Sequence, residues 1–207
     1  RSVMLVCDGD AVRGYLTLAD RVRDDSRAVV AGLDGLGLTT VMLTGDHAAV
    51  ARRVGAAVGV DDVRAGLLPD EKLTAVRQIE AERGPVAMVG DGINDAPALA
   101  AATVGIAMGG AGSAQAVETA DVVLMADNIA RLPYTVRLAR LARRIIVQNV
   151  AFSLATKLVF VALALAGAAS LWLAIRAYMG GSLLVIAIGM RPLRLRYVAG
   201  ATPAACR

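Results

Sequence analysis

The chain has 207 residues, 57% of them apolar, with a formal net charge of +4. Its mean hydropathy of +0.59 is high for a wholly water-soluble domain, and the excess is uneven: residues 1–125 read as a soluble α/β sequence, while 145–190 hold most of the long apolar runs. The arginines cluster at 131–144 and 191–196, on either side of those runs, which excludes nucleic acid as the first partner to consider and favours a membrane lipid surface.

The chain opens at Arg1 in a strand-like run with no apolar leader, and so reads as a piece of something longer, with an amino-terminal part missing. VMLVCD (3–8) and YLTLAD (15–20) are short β-rich runs around Gly9 and Gly14, which predicts a hairpin. Residues 24–37 have helical spacing, with acids in the first turn and glycine at the end. TTVMLTGD (39–46) predicts a buried strand ending in a polar turn, and 47–59 a helix. PDEKLTAVRQIEAERG (69–84) is a helix with proline near its start; 85–91 is a strand and 94–102 a helix. VGIAMG (104–109) and DVVLM (121–125) are further apolar strands. Strands alternating with helices imply a parallel sheet covered on both faces, with ligands at the carboxyl ends of its strands. TGD and GDGIND both fall at that edge. Cys7 and Cys206 lie far apart and form neither a disulfide framework nor a thiolate metal site.

From Asn128 a helical pattern runs, interrupted only by Pro133, into an apolar stretch of about twenty residues, the length needed to cross hydrocarbon. A second stretch, 171–190, follows a short turn. A buried helical hairpin in a soluble core is the competing reading, but little sequence remains to cover it. Arginines outside both spans place both chain ends on the cytoplasmic side. The expected plan is a site-bearing domain at 1–127, a linking helix at 128–149, two transmembrane helices within 150–190 and a cytoplasmic tail at 191–207.

The chemistry concentrates in GDGINDAP. Asp91 leaves a strand end, Gly90 and Gly92 permit close backbone approach, Asn94 is placed to cap a helix, and Asp95 sits in its first turn. Asp91 and Asp95 flanking one pocket suit Mg²⁺, which takes few carboxylate oxygens and completes its shell with water and phosphate. The plainer alternative is that Asp95 caps and Asp91 closes a turn. Thr44 and Gly45 offer a hydroxyl and an unhindered N–H to phosphoryl oxygens, and Lys72 offers a point charge. Lys72 and Lys157 are the only lysines among 22 basic residues, which hints that arginine would not serve there. Asp8 in VMLVCDGD can be read as a nucleophile of a DxD signature or as part of a hairpin turn, and Gly14 with the strand behind it favours the turn. His47, the single histidine, reads as an exposed helix residue beside the site.

TGD, PDEK and above all GDGINDAPAL resemble P-type ATPases, whose phosphorylation domain has the haloacid-dehalogenase fold, a Rossmann-like α/β parallel sheet. The likeness includes Asp20 and Arg23 as the family's D-x-x-R, and extends to VGIAMG and ETADVVLM. It implies that Asp91 and Asp95 hold Mg²⁺, that Lys72 contacts the acyl-phosphate, that Thr44, Gly45 and Asp46 contact phosphate and nucleotide, and that Asn94 orients the phosphoryl group. RRIIVQNVAFSLATKLVFVALALAG is similar to the penultimate membrane helix of the zinc/cadmium/lead branch, with Lys157 at the place of that branch's lysine. LWLAIRAYMGGSLLVIAIGM resembles its last helix, although Tyr178 stands where related zinc pumps carry an aspartate, and Arg176 adds a cation.

The resemblance implies the carboxyl-terminal part of an ATP-driven, plasma-membrane pump for a divalent heavy-metal ion, with Mg²⁺ and ATP as cofactors of the complete protein. The family's nucleophile, the aspartate of DKTGT, does not occur in this sequence, so the chain by itself is not expected to form a phosphoenzyme. The nucleotide-binding insert, the actuator domain and the earlier membrane helices with their cysteine motif have no counterpart here either. Two alternatives belong to other classes: a membrane-anchored phosphatase using Asp8, and a non-catalytic pump remnant.

Overall fold

A computed structural model describes residues 2–9, 11–18, 22–92, 95–109, 118–125, 128–168 and 170–194. Asp10, Asp20, Asn94, Cys206 and most of the expected tail lie outside the described residues. The chain divides into two compact units, the second spanning Pro133–Ala201.

The first unit opens with an antiparallel ribbon of β1 (Ser2–Asp8) and β2 (Ala11–Leu18). Gly9 takes φ 59 at its turn, a conformation that costs other residues strain. Then come α1 (Ser26–Asp34), β3 (Val41–Leu43), α2 (Ala48–Val58), β4 (Asp62–Arg64), α3 (Pro69–Arg83), β5 (Ala87–Gly90), α4 (Ala96–Ala101), β6 (Val104–Gly109) and β7 (Val122–Met125). β3 pairs with β4 in parallel, and β5, β6 and β7 form a second parallel ladder in that order. The α/β alternation and parallel pairing expected of a haloacid-dehalogenase-like domain are both present.

β4 is the element that the sequence reading did not place. It is held by a clasp at its entry: the Asp61 carboxylate accepts the Thr40 N–H at 2.7 Å and the Thr40 hydroxyl at 3.0 Å, and the Asp61 N–H returns to the Thr40 carbonyl. Those bonds hold the Asp61 carboxyl below the usual carboxylate range. Gly55 on α2 leaves room for this strand, since a Cβ there would stand 2.5 Å from Val63 Cγ2.

Two apolar clusters fill the unit. Val29, Ile106, Leu124 and Leu132 pack on one side of β6 and β7. Val76, Met88, Ala98 and Leu99 form the other cluster, with Leu43 of β3 against it. Helix α3 presents Lys72, Ala75, Val76 and Ile79 at i, i+3, i+4 and i+7; the last three are buried. The stripe that packs α3 therefore ends, at its amino-terminal end, in an ammonium group.

The second unit is helical. Asn128 Oδ1 accepts the Ala130 N–H and caps the 3₁₀ turn Ile129–Arg131, which leads into α5 (Leu132–Leu165). Pro133 falls in the first helical turn, where its missing N–H is harmless, so it starts the helix rather than breaking it. The linking segment and the first apolar stretch are thus one continuous helix of 34 residues. Gly167 at φ 71 ends it, with Ala168 N–H on the Leu163 carbonyl and Gly167 N–H on that of Ala164. This is the Schellman pattern. Helix α6 (Leu171–Gly189) follows.

Among the described residues one helix, Ile129–Leu165, is long and apolar enough to cross a membrane; a shorter apolar segment spans Tyr178–Gly189. Ile146, Val150, Leu154, Leu158, Val161 and Leu165 are all more than half exposed. Full burial of such a side chain is worth about 1.5–3 kcal/mol, so much of the apolar surface of this helix lacks cover among the described residues.

Candidate functional site

The site is assembled at the carboxyl edge of the parallel strands. β3 ends at Leu43, and Thr44–Gly45–Asp46 turn the chain towards α2, with His47 at its N-cap position. Inside that turn the Thr44 Oγ1 accepts the Asp46 N–H at 3.1 Å, while the hydroxyl hydrogen remains available to donate. The loop is also strapped sideways. Thr44 N–H donates to the Arg64 carbonyl, Leu67 N–H to the Thr44 carbonyl and Gly66 N–H to the Asp46 carbonyl, at 2.9–3.0 Å. Gly45 makes the close approach possible, because a Cβ there would lie 3.3 Å from the Leu67 carbonyl oxygen.

The first of these bonds joins the TGD loop to the end of β4, and the other two join it to the segment that leads into α3. Leu68 N–H donates to Glu71 Oε2 at 2.8 Å, which ties down the first turn of that helix. Lys72 lies one turn in, and its Nζ sits 2.7 Å from Asp95 Oδ1 across 23 residues of sequence. Both side chains are largely enclosed, at 17% and 16% exposure. Asp95 occupies the N-cap position of α4 but makes no side-chain cap bond. The plainer reading, in which Asp95 merely caps the helix, therefore fails: its carboxylate is turned to Lys72.

Gly90, the last residue of β5, lies against the same carboxylate. A Cβ at this position would be 2.9 Å from Asp95 Oδ2, so the strand end is kept bare where Asp95 reaches it. Asp91 is the next residue, exposed beyond the ladder. Asn94, between the two acids, lies outside the described residues. Thr44, Gly45, Asp46, Lys72 and Asp95 thus belong to one connected edge.

The donor set fits a hard dication better than a soft one. Among the described residues no three His, Cys, Asp or Glu side chains gather to cage a metal. Mg²⁺ needs no such cage, since one or two carboxylates with water and phosphate suffice.

Asp8 lies elsewhere. It ends β1 in the antiparallel ribbon, paired with Ala11, and its carboxylate meets Arg13 at 3.0 Å with both side chains about 70% exposed. It is a hairpin residue, as Gly9 and Gly14 imply, and not the end of a parallel strand. His47 is exposed at the mouth of α2. In the helical unit, Lys157 and Tyr178 line one cleft of about 820 Å³ with Ser153, Thr156 and Ser182.

Residues 1–103 match the family described as haloacid dehalogenase-like hydrolase. A probable cadmium-transporting ATPase of Listeria monocytogenes is 48% identical over 197 residues, which is 95% of this chain and 28% of that protein. The cadmium/zinc-transporting ATPase HMA2 of Oryza sativa subsp. japonica is 45% identical over 92% of this chain and 18% of its own length. The crystal structure of a zinc-transporting PIB-type ATPase in its E2.Pi state superimposes with a TM-score of 0.79 at 41% identity, covering 93% of this chain and 31% of the other. The chain spans under a third of the length of these relatives.

Proposed function

We infer, for a chain homologous to heavy-metal P-type ATPases over 95% of its length, that it works as the carboxyl-terminal segment of a divalent heavy-metal pump. The observation that carries the reading is the shared edge. A TGD loop is hydrogen-bonded to the segment that starts α3, and Lys72 of that helix is bonded at 2.7 Å to Asp95 against a bare Gly90.

In this reading Asp91 and Asp95 are the carboxylates for Mg²⁺, which when bound supplies charge neutralisation to a transferring phosphoryl group. The chain's own groups do the rest. Thr44 Oγ1 and the Gly45 N–H donate to phosphoryl oxygens, Asp46 shapes the loop that presents them, and Asn94 steadies the group from the head of α4. Lys72 holds Asp95 in place and brings a positive charge to where negative charge develops. The phosphorylated aspartate and the adenine pocket are supplied by sequence outside these 207 residues. Residues 128–149 act as the linking helix and transmit domain movement to two membrane spans within 150–190. The site-bearing domain faces the cytoplasm, and the cargo is a cadmium- or zinc-like ion leaving the cell.

The test is a chimera. The equivalent segment of the Listeria cadmium-transporting ATPase is replaced by this chain and expressed in a cadmium-sensitive host. Cadmium resistance, lost in Asp91→Asn, is the expected result. Resistance that survives Asp91→Asn overturns the site assignment, and a membrane-inserted chimera that fails both to export and to bind nucleotide overturns the pump reading.

A further inference from the structure

We propose that the arginine face at the start of α5 is a binding site for the headgroup of an anionic phospholipid. The proposal rests on the reading of α5 as a membrane helix. A depression of about 430 Å³ is lined by Arg140, Arg143, Arg144, Val147 and Gln148. These residues stand at i, i+3, i+4, i+7 and i+8, so they form one stripe along the helix. All three guanidinium groups belong to exposed residues. Arg137 extends the same stripe by one turn, and its Nε is turned back onto the Pro133 carbonyl at 3.3 Å.

Three observations identify the occupant. First, no aspartate or glutamate occurs from residue 128 to residue 207, so every charged side chain in that stretch is cationic. Second, the guanidinium groups of Arg143 and Arg144 with the Gln148 amide offer a fork of N–H donors that matches phosphodiester oxygens, where lysine would offer only point charges. Third, the depression straddles a polarity step. Val147 is part of its lining, and Ile146 and Val150 beside it open the exposed apolar run of the helix. An occupant with an anionic head and an apolar tail satisfies both halves; a free anion or a nucleic acid satisfies one. Arginines immediately cytoplasmic to a span are attracted to anionic lipid by about 1 kcal/mol each, or about fivefold in affinity per residue.

The 207-residue chain is reconstituted in phosphatidylcholine vesicles containing a minor fraction of phosphatidylglycerol. Spin-labelled lipids of each class report which one the protein immobilises. The expected result is an association preference for phosphatidylglycerol of about fivefold or more. That preference should fall towards one in the Arg140→Gln/Arg143→Gln/Arg144→Gln variant, persist in Arg191→Gln, and be unmoved by inorganic phosphate in the buffer. Equal losses in both variants, no preference in the parent chain, or displacement by phosphate overturns the proposal. Trp172, the single tryptophan, provides the separate control. Its quenching by brominated acyl chains with no lipid preference sinks the headgroup site alone, whereas no quenching sinks the membrane reading and this site with it.

Discussion

Replacing Lys72 with methionine keeps the length and most of the apolar stem of the side chain while removing its charge. The ammonium nitrogen sits 2.7 Å from Asp95 Oδ1, which at the effective dielectric of a protein edge is about 6 kcal/mol of gross attraction. Desolvating two charges takes back most of that, so the net coupling should be about 1.5–3 kcal/mol, as for hydrogen bonds to charged groups. Truncating one partner costs more than the coupling, because Asp95 is then left enclosed without a cation. A loss of about 3 kcal/mol follows, near the low end for a broken buried pair. Hydrogen exchange on the amides of α3 and α4 reads this directly as about a hundredfold faster exchange. A cycle of Lys72→Met, Asp95→Asn and the double variant separates the pair from its surroundings. The double variant should be more protected than Lys72→Met alone. A coupling below about 0.5 kcal/mol would refute the claim that this pair organises the sheet edge.

Other consequences are open to similar measurement. Gly90→Ala brings a Cβ to within 2.9 Å of Asp95 Oδ2. In the chimera it should abolish cadmium resistance while thermal stability falls by about 1–3 kcal/mol; resistance at the parental level would show that the contact is idle. Gly105→Ala places its methyl 2.8 Å from the Leu99 carbonyl, a backbone atom that cannot swing aside. It should destabilise the domain by about 1–3 kcal/mol in denaturant melts, with the slope unchanged. The Asp61 carboxyl is held below its ordinary range by the Thr40 bonds, so its contribution is complete above the unfolded-state value and disappears as pH falls through the folded-state value. Melts of Asp61→Asn should therefore lie below those of the parent at neutral pH and converge with them in acid. A gap that stays constant with pH would remove the charge from the explanation. The ammonium of Lys72 also competes with a dication for Asp95, so Lys72→Met should shift Mg²⁺-induced protection of α4 to lower Mg²⁺ concentration.

The elements built from long periodic patterns were legible in the residues. Pro69 opening α3 and Gly59 and Gly84 closing helices each announced a boundary that the fold respects, whereas the division expected at 149/150 falls inside one continuous helix. β4 did not announce itself, because Asp62, Val63 and Arg64 are too few for their alternation to stand out, and the strand is positioned by a clasp from Thr40, more than twenty residues away. The role of Asp95 was half visible. Its place at a helix start was clear from GDGINDAP, but helix starts favour acids in any protein, and only the packing of α3 on α4 shows the carboxylate committed to Lys72 instead of to the cap. Asp8 illustrates the converse. A DxD string promised chemistry, and two nearby glycines correctly favoured a turn.

The account turns on the carboxylates at the strand end serving phosphoryl transfer, and labelling of the chimera with ATP radiolabelled at the γ-phosphate tests that most directly. An acid-stable, hydroxylamine-labile label that requires Mg²⁺ and disappears in Asp91→Asn is the predicted result. Undiminished labelling of Asp91→Asn at the same Mg²⁺ concentration would contradict it.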